Sequence, residues 1–227
     1  GRAPYAAELE FFVDQGLSYI PNYHSMYVVT VPGAVDGWAT LLEKCGTMTM
    51  ADVLQPAIFH AENGFPVSPQ ISASWQASVP LLSHCPDTLK TYLIGGRAPE
   101  SGEMFKNINL ARALRLISEG GSDAFYRGQI AEKIVKFSTE NGGLFTMKDF
   151  IDHTSDWVEP ISVDYRGYDV CEIPPNGQGI TALMALNIVS EFDISAMGHN
   201  STESLHCMIE SMKLSFSDLY EYITDPT

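Results

Sequence analysis

Few of the residue types that do chemistry stand in spacings that would let them act together. His24, His60, His84, His153, His199 and His206 are scattered, with no HExxH and no paired spacing of the kind that holds zinc. Cys45, Cys85, Cys171 and Cys207 are equally far apart, without CxxC. They read as small buried hydrophobes rather than as a disulfide or metal framework. There is no phosphate-binding loop, no dinucleotide fingerprint and no Gly-x-Ser-x-Gly elbow, so the sequence implies no metal and no cofactor. One turn stands out, Pro174-Pro175-Asn176-Gly177-Gln178-Gly179. The backbone N–H groups of Asn176, Gly177 and Gln178, opening a helix, are candidates for holding an anion. The other reading is a strand-to-helix turn whose glycines supply left-handed backbone. His206, Glu210 and Asp218 share the last helical stretch and read as structural, with Lys213 or Arg166 as partners for the two acids.

The elements that would carry these residues are mostly helical. Residues 26–31 form a β-branched run closed by Pro32-Gly33, which predicts a short strand or extended segment. Val35, Trp38, Leu41, Leu42 and Cys45 repeat at three and four, and Gly46 supplies a stop. Thr49 with Asp52 forms a capping signal ahead of Val53, Leu54, Ala57, Ile58 and Ala61, with Gly64 as terminator. Ser68-Pro69 opens the next helix, to about Leu82. Leu110, Leu114 and Ile117 mark another, running into Gly120-Gly121. Ser122 then caps a helix with the apolar face Phe125, Ile130, Ile134, Val135 and Phe137. Thr146 and Asp149 repeat the short capping signal. Residues 161–165 and 168–173 alternate on either side of Arg166-Gly167, the best hairpin signal in the chain. A helix over 180–192 follows. Ser201 or Thr202 caps the last one, whose apolar face would be Leu205, Met208, Ile209, Met212, Leu214, Phe216, Leu219 and Tyr220.

At 227 residues, with 45% hydrophobic and 18% charged residues, the chain can bury a substantial core. The formal net charge of −15 is spread without a like-charge run. Such a surface repels phosphate backbones and anionic lipid, which argues against nucleic acid as a partner. No apolar run approaches the ~18 residues that would span a bilayer.

Several segments together resemble the gamma-glutamyltranspeptidase family. Val31-Pro32-Gly33-Ala34-Val35-Asp36-Gly37-Trp38 is similar to its VPG-x-V-x-G-[WF] segment. Leu54-Gln55-Pro56-Ala57-Ile58 and Ala61-Glu62-Asn63-Gly64-Phe65-Pro66-Val67 follow in family order. So do Asn109-Leu110-Ala111, Ile117-Ser118-Glu119-Gly120-Gly121, Phe125-Tyr126-Arg127-Gly128-Gln129-Ile130-Ala131 and Asn141-Gly142-Gly143. Glu159-Pro160-Ile161, Tyr165-Arg166-Gly167-Tyr168 and Pro174-Pro175 come next. His206, Glu210, Lys213, Phe216, Asp218, Tyr222 and Asp225-Pro226 complete the series. Each is weak alone; their collinear order is not.

The resemblance implies an α+β, predominantly helical chain, the large-subunit part of an αββα N-terminal-nucleophile hydrolase sandwich. It implies a precursor that cleaves itself, the new N-terminal threonine of the small subunit attacking a substrate amide. That threonine lies beyond Asp225-Pro226 in the family, so no catalytic residue is expected within residues 1–227. Thr227 has no free amine and Gly1 has no side chain. The expectation is a single large-subunit fragment cut at both ends, with the small subunit as partner and a gamma-glutamyl compound such as glutathione as substrate. The family includes exported and non-exported members, so no localisation is read. Two departures matter. The family arginine that holds the substrate α-carboxylate stands in R-E-x-A-P, whereas here Arg2 directly precedes Ala3-Pro4. Arg2 is thus a candidate substrate-binding residue, or else an ion-pair residue beside a proline turn. The family's P-P-P-S-S-G-G is here Pro-Pro-Asn-Gly-Gln-Gly, a variant associated with the cephalosporin (glutaryl) acylase-like branch. That branch is the alternative reading, with a non-catalytic scaffold or binding member as the third.

Overall fold

The computed structural model describes residues 2–21 and 25–224. Its contacts divide the chain into two compact units, Gly1–Ser155 and Asp156–Thr227. Among the described residues the chain is predominantly helical, and its strands form two antiparallel pairs.

The first unit holds α1 (Leu9–Asp14), α2 (Ala34–Cys45), α3 (Met50–Asn63), β1 (Phe65–Pro66), α4 (Pro69–Leu82) and α5 (Pro86–Tyr92). It continues with β2 (Met104–Phe105), α6 (Ile108–Tyr126), α7 (Gln129–Glu140) and α8 (Met147–Ile151). Its centre is the packing of α3 on α6. Leu54, Ile58 and Ala61 of α3 and Ala111, Leu114 and Ile117 of α6 are buried at helical spacing, so each helix offers one apolar stripe to the other. Val31, Val35, Tyr126, Ala131, Phe145 and Phe150 complete that core. The starts and stops follow local chemistry. Thr49 and Asp52 close a full capping box on α3, Ser68 accepts from the Ile71 N–H above Pro69, and Gly46 and Gly64 end α2 and α3.

Two expectations in this unit are corrected. Residues 26–31 form no strand. The run turns at Tyr27 and Val28, where the Val29 N–H reaches the Met26 carbonyl, and Val31 is held singly by donating to the Arg2 carbonyl. The helix expected from Ser122 through Phe137 is two pieces, because Gly128 is extended at φ −105° and ψ −166° before α7 starts. The break expected at Gly120-Gly121 is present within α6 at Gly121, whose φ of 62° and ψ of −153° are open only to glycine at low cost. Phe11 and Phe12 lie on α1, a short helix without a side-chain cap, and pack edge-on against Tyr27.

The second unit is built from β3 (Ile161–Tyr165), β4 (Tyr168–Glu172), α9 (Gly179–Ser190), α10 (Ile194–Met197) and α11 (Thr202–Tyr222). The expected hairpin is present with Tyr165 facing Tyr168. Arg166 at φ 57° and Gly167 at φ 84° form the two-residue turn that matches strand twist. Helix α9 packs on both the hairpin and α11, which explains its apolar residues all round.

The apolar face read for α11 is corrected here. Its buried residues are Ser204, Ser211, Ser215 and Leu219, while Leu205, Met208, Ile209, Met212, Leu214 and Tyr220 are exposed. Small side chains let α9 approach closely. The serine hydroxyls are satisfied inside the helix, Ser211 donating to the Cys207 carbonyl at 2.7 Å and Ser215 to the Ser211 carbonyl at 2.9 Å. Burial therefore leaves no orphaned donor.

Candidate functional site

The N-terminal segment is fastened to α8 by one carboxylate. Asp149 is the third residue of its helix, and Thr146 closes the local half of the arrangement. The Thr146 N–H and hydroxyl both donate to Asp149 Oδ2 at 2.7 Å. Its other oxygen, Oδ1, accepts from the Tyr5 N–H at 2.7 Å and lies 3.6 Å from Arg2 Nη1. Arg2 Nη2 donates to the Asp149 carbonyl at 2.7 Å, so the guanidinium spans both the main chain and the side chain of that residue. The Tyr5 ring lies beneath the Arg2 guanidinium, 4.1 Å from its centroid, with Lys148 Nζ also over it at 4.5 Å. The Tyr5 hydroxyl donates to Asp152, which also receives Lys148.

Asp149 is 0% exposed and is, among the described residues, the charged side chain taken wholly into the interior. Burial pushes its carboxyl up, but hydrogen bonds from Tyr5 and Thr146, with the Arg2 charge, outweigh it and hold the group below the ordinary carboxylate range. A depressed carboxyl stabilises the fold above its unfolded value, and that contribution is lost as the pH falls through the folded one. Arg2 is thus placed in this cluster with its side chain 35% exposed.

The second candidate lies in the other unit. Asn176, Gly177 and Gln178 form the turn that opens α9, with Gln178 as its N-cap in right-handed helical geometry. Glycine at 179 is not in left-handed backbone; it leaves room for the Glu172 side chain. A Cβ there would stand 2.5 Å from Glu172 Oε2 and 3.0 Å from Glu172 Cβ. The protein's own Glu172 carboxylate therefore lies beside the first turn of α9, where the helix dipole favours negative charge. Thr181 in that turn is 2% exposed, and its hydroxyl has no hydrogen-bond partner among the described residues.

The remaining sequence candidates are dispersed. His206 is exposed, and Lys213 pairs with Glu210 at 2.7 Å rather than with Asp218. Arg166 reaches Ser195 and the Phe192 carbonyl. The cysteines are free, but Cys45 and Cys171 are exposed and Cys85 and Cys207 half-buried, which corrects the buried reading. Cys45 is the last residue of α2, and Cys171 is on an exposed position of the hairpin. Gly1, His24, Asp225, Pro226 and Thr227 lie outside the described residues. No group of three or more His, Cys, Asp or Glu among the described residues is arranged to hold a metal ion, and no helix there is long and apolar enough to cross a membrane.

Sequence reasoning missed one structural centre. The Tyr126 hydroxyl donates to the Pro32 carbonyl at 2.6 Å and accepts from the Asp36 N–H at 3.2 Å. Asp36 Oδ2 accepts from the Ser155 N–H at 2.6 Å, and the His153 ring stacks on Tyr126 at 5.0 Å. Desolvation pushes the Tyr126 phenol up, so it stays a neutral donor. The Val31-to-Trp38 segment is thereby locked onto the core.

The fold is that of the large-subunit portion of N-terminal-nucleophile hydrolases. It superposes on the crystal structure of cephalosporin acylase from Bacillus halodurans with a TM-score of 0.90 at 40% identity, covering 100% of this chain and 43% of that one. It matches Helicobacter pylori gamma-glutamyltranspeptidase with a TM-score of 0.89 at 28% identity, covering 99% of this chain and 65% of that one. The sequence model of Gamma-glutamyltranspeptidase matches residues 1–227, and the chain belongs to that family. It is 42% identical to a glutathione hydrolase-like proenzyme, YwrD, of Bacillus subtilis (strain 168), over 94% of this chain and 41% of the relative. It is 35% identical to the acylase ACY 1 proenzyme of Pseudomonas sp. (strain SE83), over 87% of this chain and 36% of the relative. The chain thus spans about two fifths of the length of these relatives.

Proposed function

We propose that the protein containing this chain is an amide hydrolase and acyltransferase acting on gamma-glutamyl compounds such as glutathione. The observation that carries this reading is the 42% identity to a glutathione hydrolase-like proenzyme, running through 94% of the chain. In this proposal the nucleophile is the N-terminal threonine of a small subunit cut from the same precursor. Its hydroxyl adds to the substrate amide carbonyl while its own α-amine, with a pKa of about 8, takes the proton. Backbone N–H donors hold the oxyanion. The C–N bond then breaks with the proton passing to the leaving amine, and the acyl ester goes to water or to an acceptor amine.

This chain's part is to wall the site. Arg2 is proposed to meet the substrate carboxylate with the N–H donors that Asp149 does not use. In the second unit, taken by itself, Asn176, Gly177 and Gln178 are proposed to offer backbone donors to an anion, close to where the Glu172 carboxylate stands beside Gly179. The small subunit is the proposed partner, and the exposed Met208, Ile209, Met212 and Tyr220 of α11 are the apolar surface offered to it in the second unit.

A second reading, hydrolysis of a glutaryl-type acyl amide, is favoured by the 40% identity and TM-score of 0.90 to a cephalosporin acylase. Incubating the full-length protein with gamma-glutamyl-p-nitroanilide and with a glutaryl-cephalosporin separates them. Release of p-nitroaniline is the expected result. Turnover of the cephalosporin alone moves the assignment to the second reading, and turnover of neither overturns both.

A further inference from the structure

Two capping boxes in this chain have the same local chemistry and different reach. In α3, the Thr49 N–H and hydroxyl donate to Asp52 Oδ2, and Asp52 is exposed, its side-chain hydrogen bonds among the described residues going to Thr49. In α8, Thr146 does the same for Asp149 Oδ2, but Asp149 is fully buried. Burying a carboxylate is costly unless its remaining lone pairs are satisfied. Here the inner oxygen is served from far along the chain: the Tyr5 N–H, 144 residues away, donates to it, and the Arg2 guanidinium, 147 residues away, pairs with it at 3.6 Å while donating to the Asp149 main-chain carbonyl. A helix cap does not need Oδ1, as Asp52 demonstrates. The second oxygen of Asp149 is committed to the N-terminal segment.

We propose that Asp149 is a positioning residue for substrate binding, holding residues 2–5 so that Arg2 is set before the substrate carboxylate arrives. The proposal rests on the reading that Arg2 meets that carboxylate. Its geometric content is specific. Arg2 is held at both the main-chain and side-chain oxygens of one buried residue, its guanidinium carbon stands 4.1 Å from the Tyr5 ring centroid, and its carbonyl accepts the Val31 N–H at 2.9 Å. A guanidinium fixed in this way loses little further freedom on meeting a planar anion, which is how preorganisation improves affinity.

The test uses the full-length protein. Asp149→Asn removes the charge that holds Arg2, and Asp52→Asn removes the matching cap on α3. Asp149→Asn is expected to raise KM for gamma-glutamyl-p-nitroanilide about tenfold with kcat within about twofold, the signature of lost uniform binding. Asp52→Asn is expected to lower the unfolding midpoint while leaving KM unchanged. Should Asp149→Asn not fold, Asp149→Glu serves in its place, because glutamate at this position still closes the capping box while its longer side chain displaces the inner oxygen. Amide exchange in the wild type adds a readout independent of activity, with the Tyr5 N–H expected to be protected before substrate is added. Unchanged KM in the Asp149 variants, or a Tyr5 amide that exchanges freely in the wild type, overturns the positioning role. A wild type that turns over neither substrate instead overturns the functional reading on which it rests.

Discussion

At the scale of residues, the chain's polar side chains act mainly by fastening distant backbone. Tyr126 is 2% exposed and serves Pro32 and Asp36 through a single hydroxyl. Tyr126→Phe keeps the ring on His153 but leaves a carbonyl and an amide without their partner. The expected cost is about 1–3 kcal/mol, the range for orphaned buried polar groups, read as a lower midpoint in chemical denaturation. A loss below about 0.5 kcal/mol would mean that water replaces the hydroxyl there. Local signals of this kind were partly legible. The Thr49–Asp52 and Thr146–Asp149 pairs can be read from spacing alone, and both form capping boxes. That Asp149 would be buried and would reach Tyr5 was not legible, because nothing local distinguishes it from Asp52. Its partners are set by tertiary packing.

At the scale of elements, caps, stops and the hairpin follow from the residues at their ends. The elements that escaped prediction are short or interrupted. Helix α1 opens on Glu8, which makes no side-chain cap, and α7 is separated from α6 by an extended Gly128 that sequence periodicity runs straight through. Helix α11 gives the sharper lesson. Its larger apolar residues at three and four spacing suggest a core face, yet the face against α9 is the serine one. Hydrophobic periodicity identifies a stripe that will be covered by something, not which partner covers it. Close approach of α9 makes a testable demand on that serine face. Ser215→Leu inserts a branched side chain at a 1% exposed position and is expected to destabilise the protein by about 1–3 kcal/mol through overpacking. If the variant melts at or above the wild-type temperature, the helices are not in close contact at this position.

At the scale of the whole molecule, the chain is two compact units from a protein family whose curated relatives are more than twice as long. The collinear segments made the family legible, since a series of weak resemblances in one order constrains the reading more than any single motif. The candidate site was less legible, because the residues proposed to touch substrate are few and the proposed nucleophile lies outside them. As proposed above, this chain walls the site of a self-processing amidase, and a threonine elsewhere in the same precursor supplies the chemistry. Intact-mass analysis of the purified full-length protein, together with its threonine-to-alanine variant, tests this most directly. Two polypeptides are expected in the wild type, the smaller beginning with threonine, and one uncut, inactive polypeptide in the variant. A single uncut wild-type polypeptide, or a variant that still cleaves and turns over amide, would contradict it.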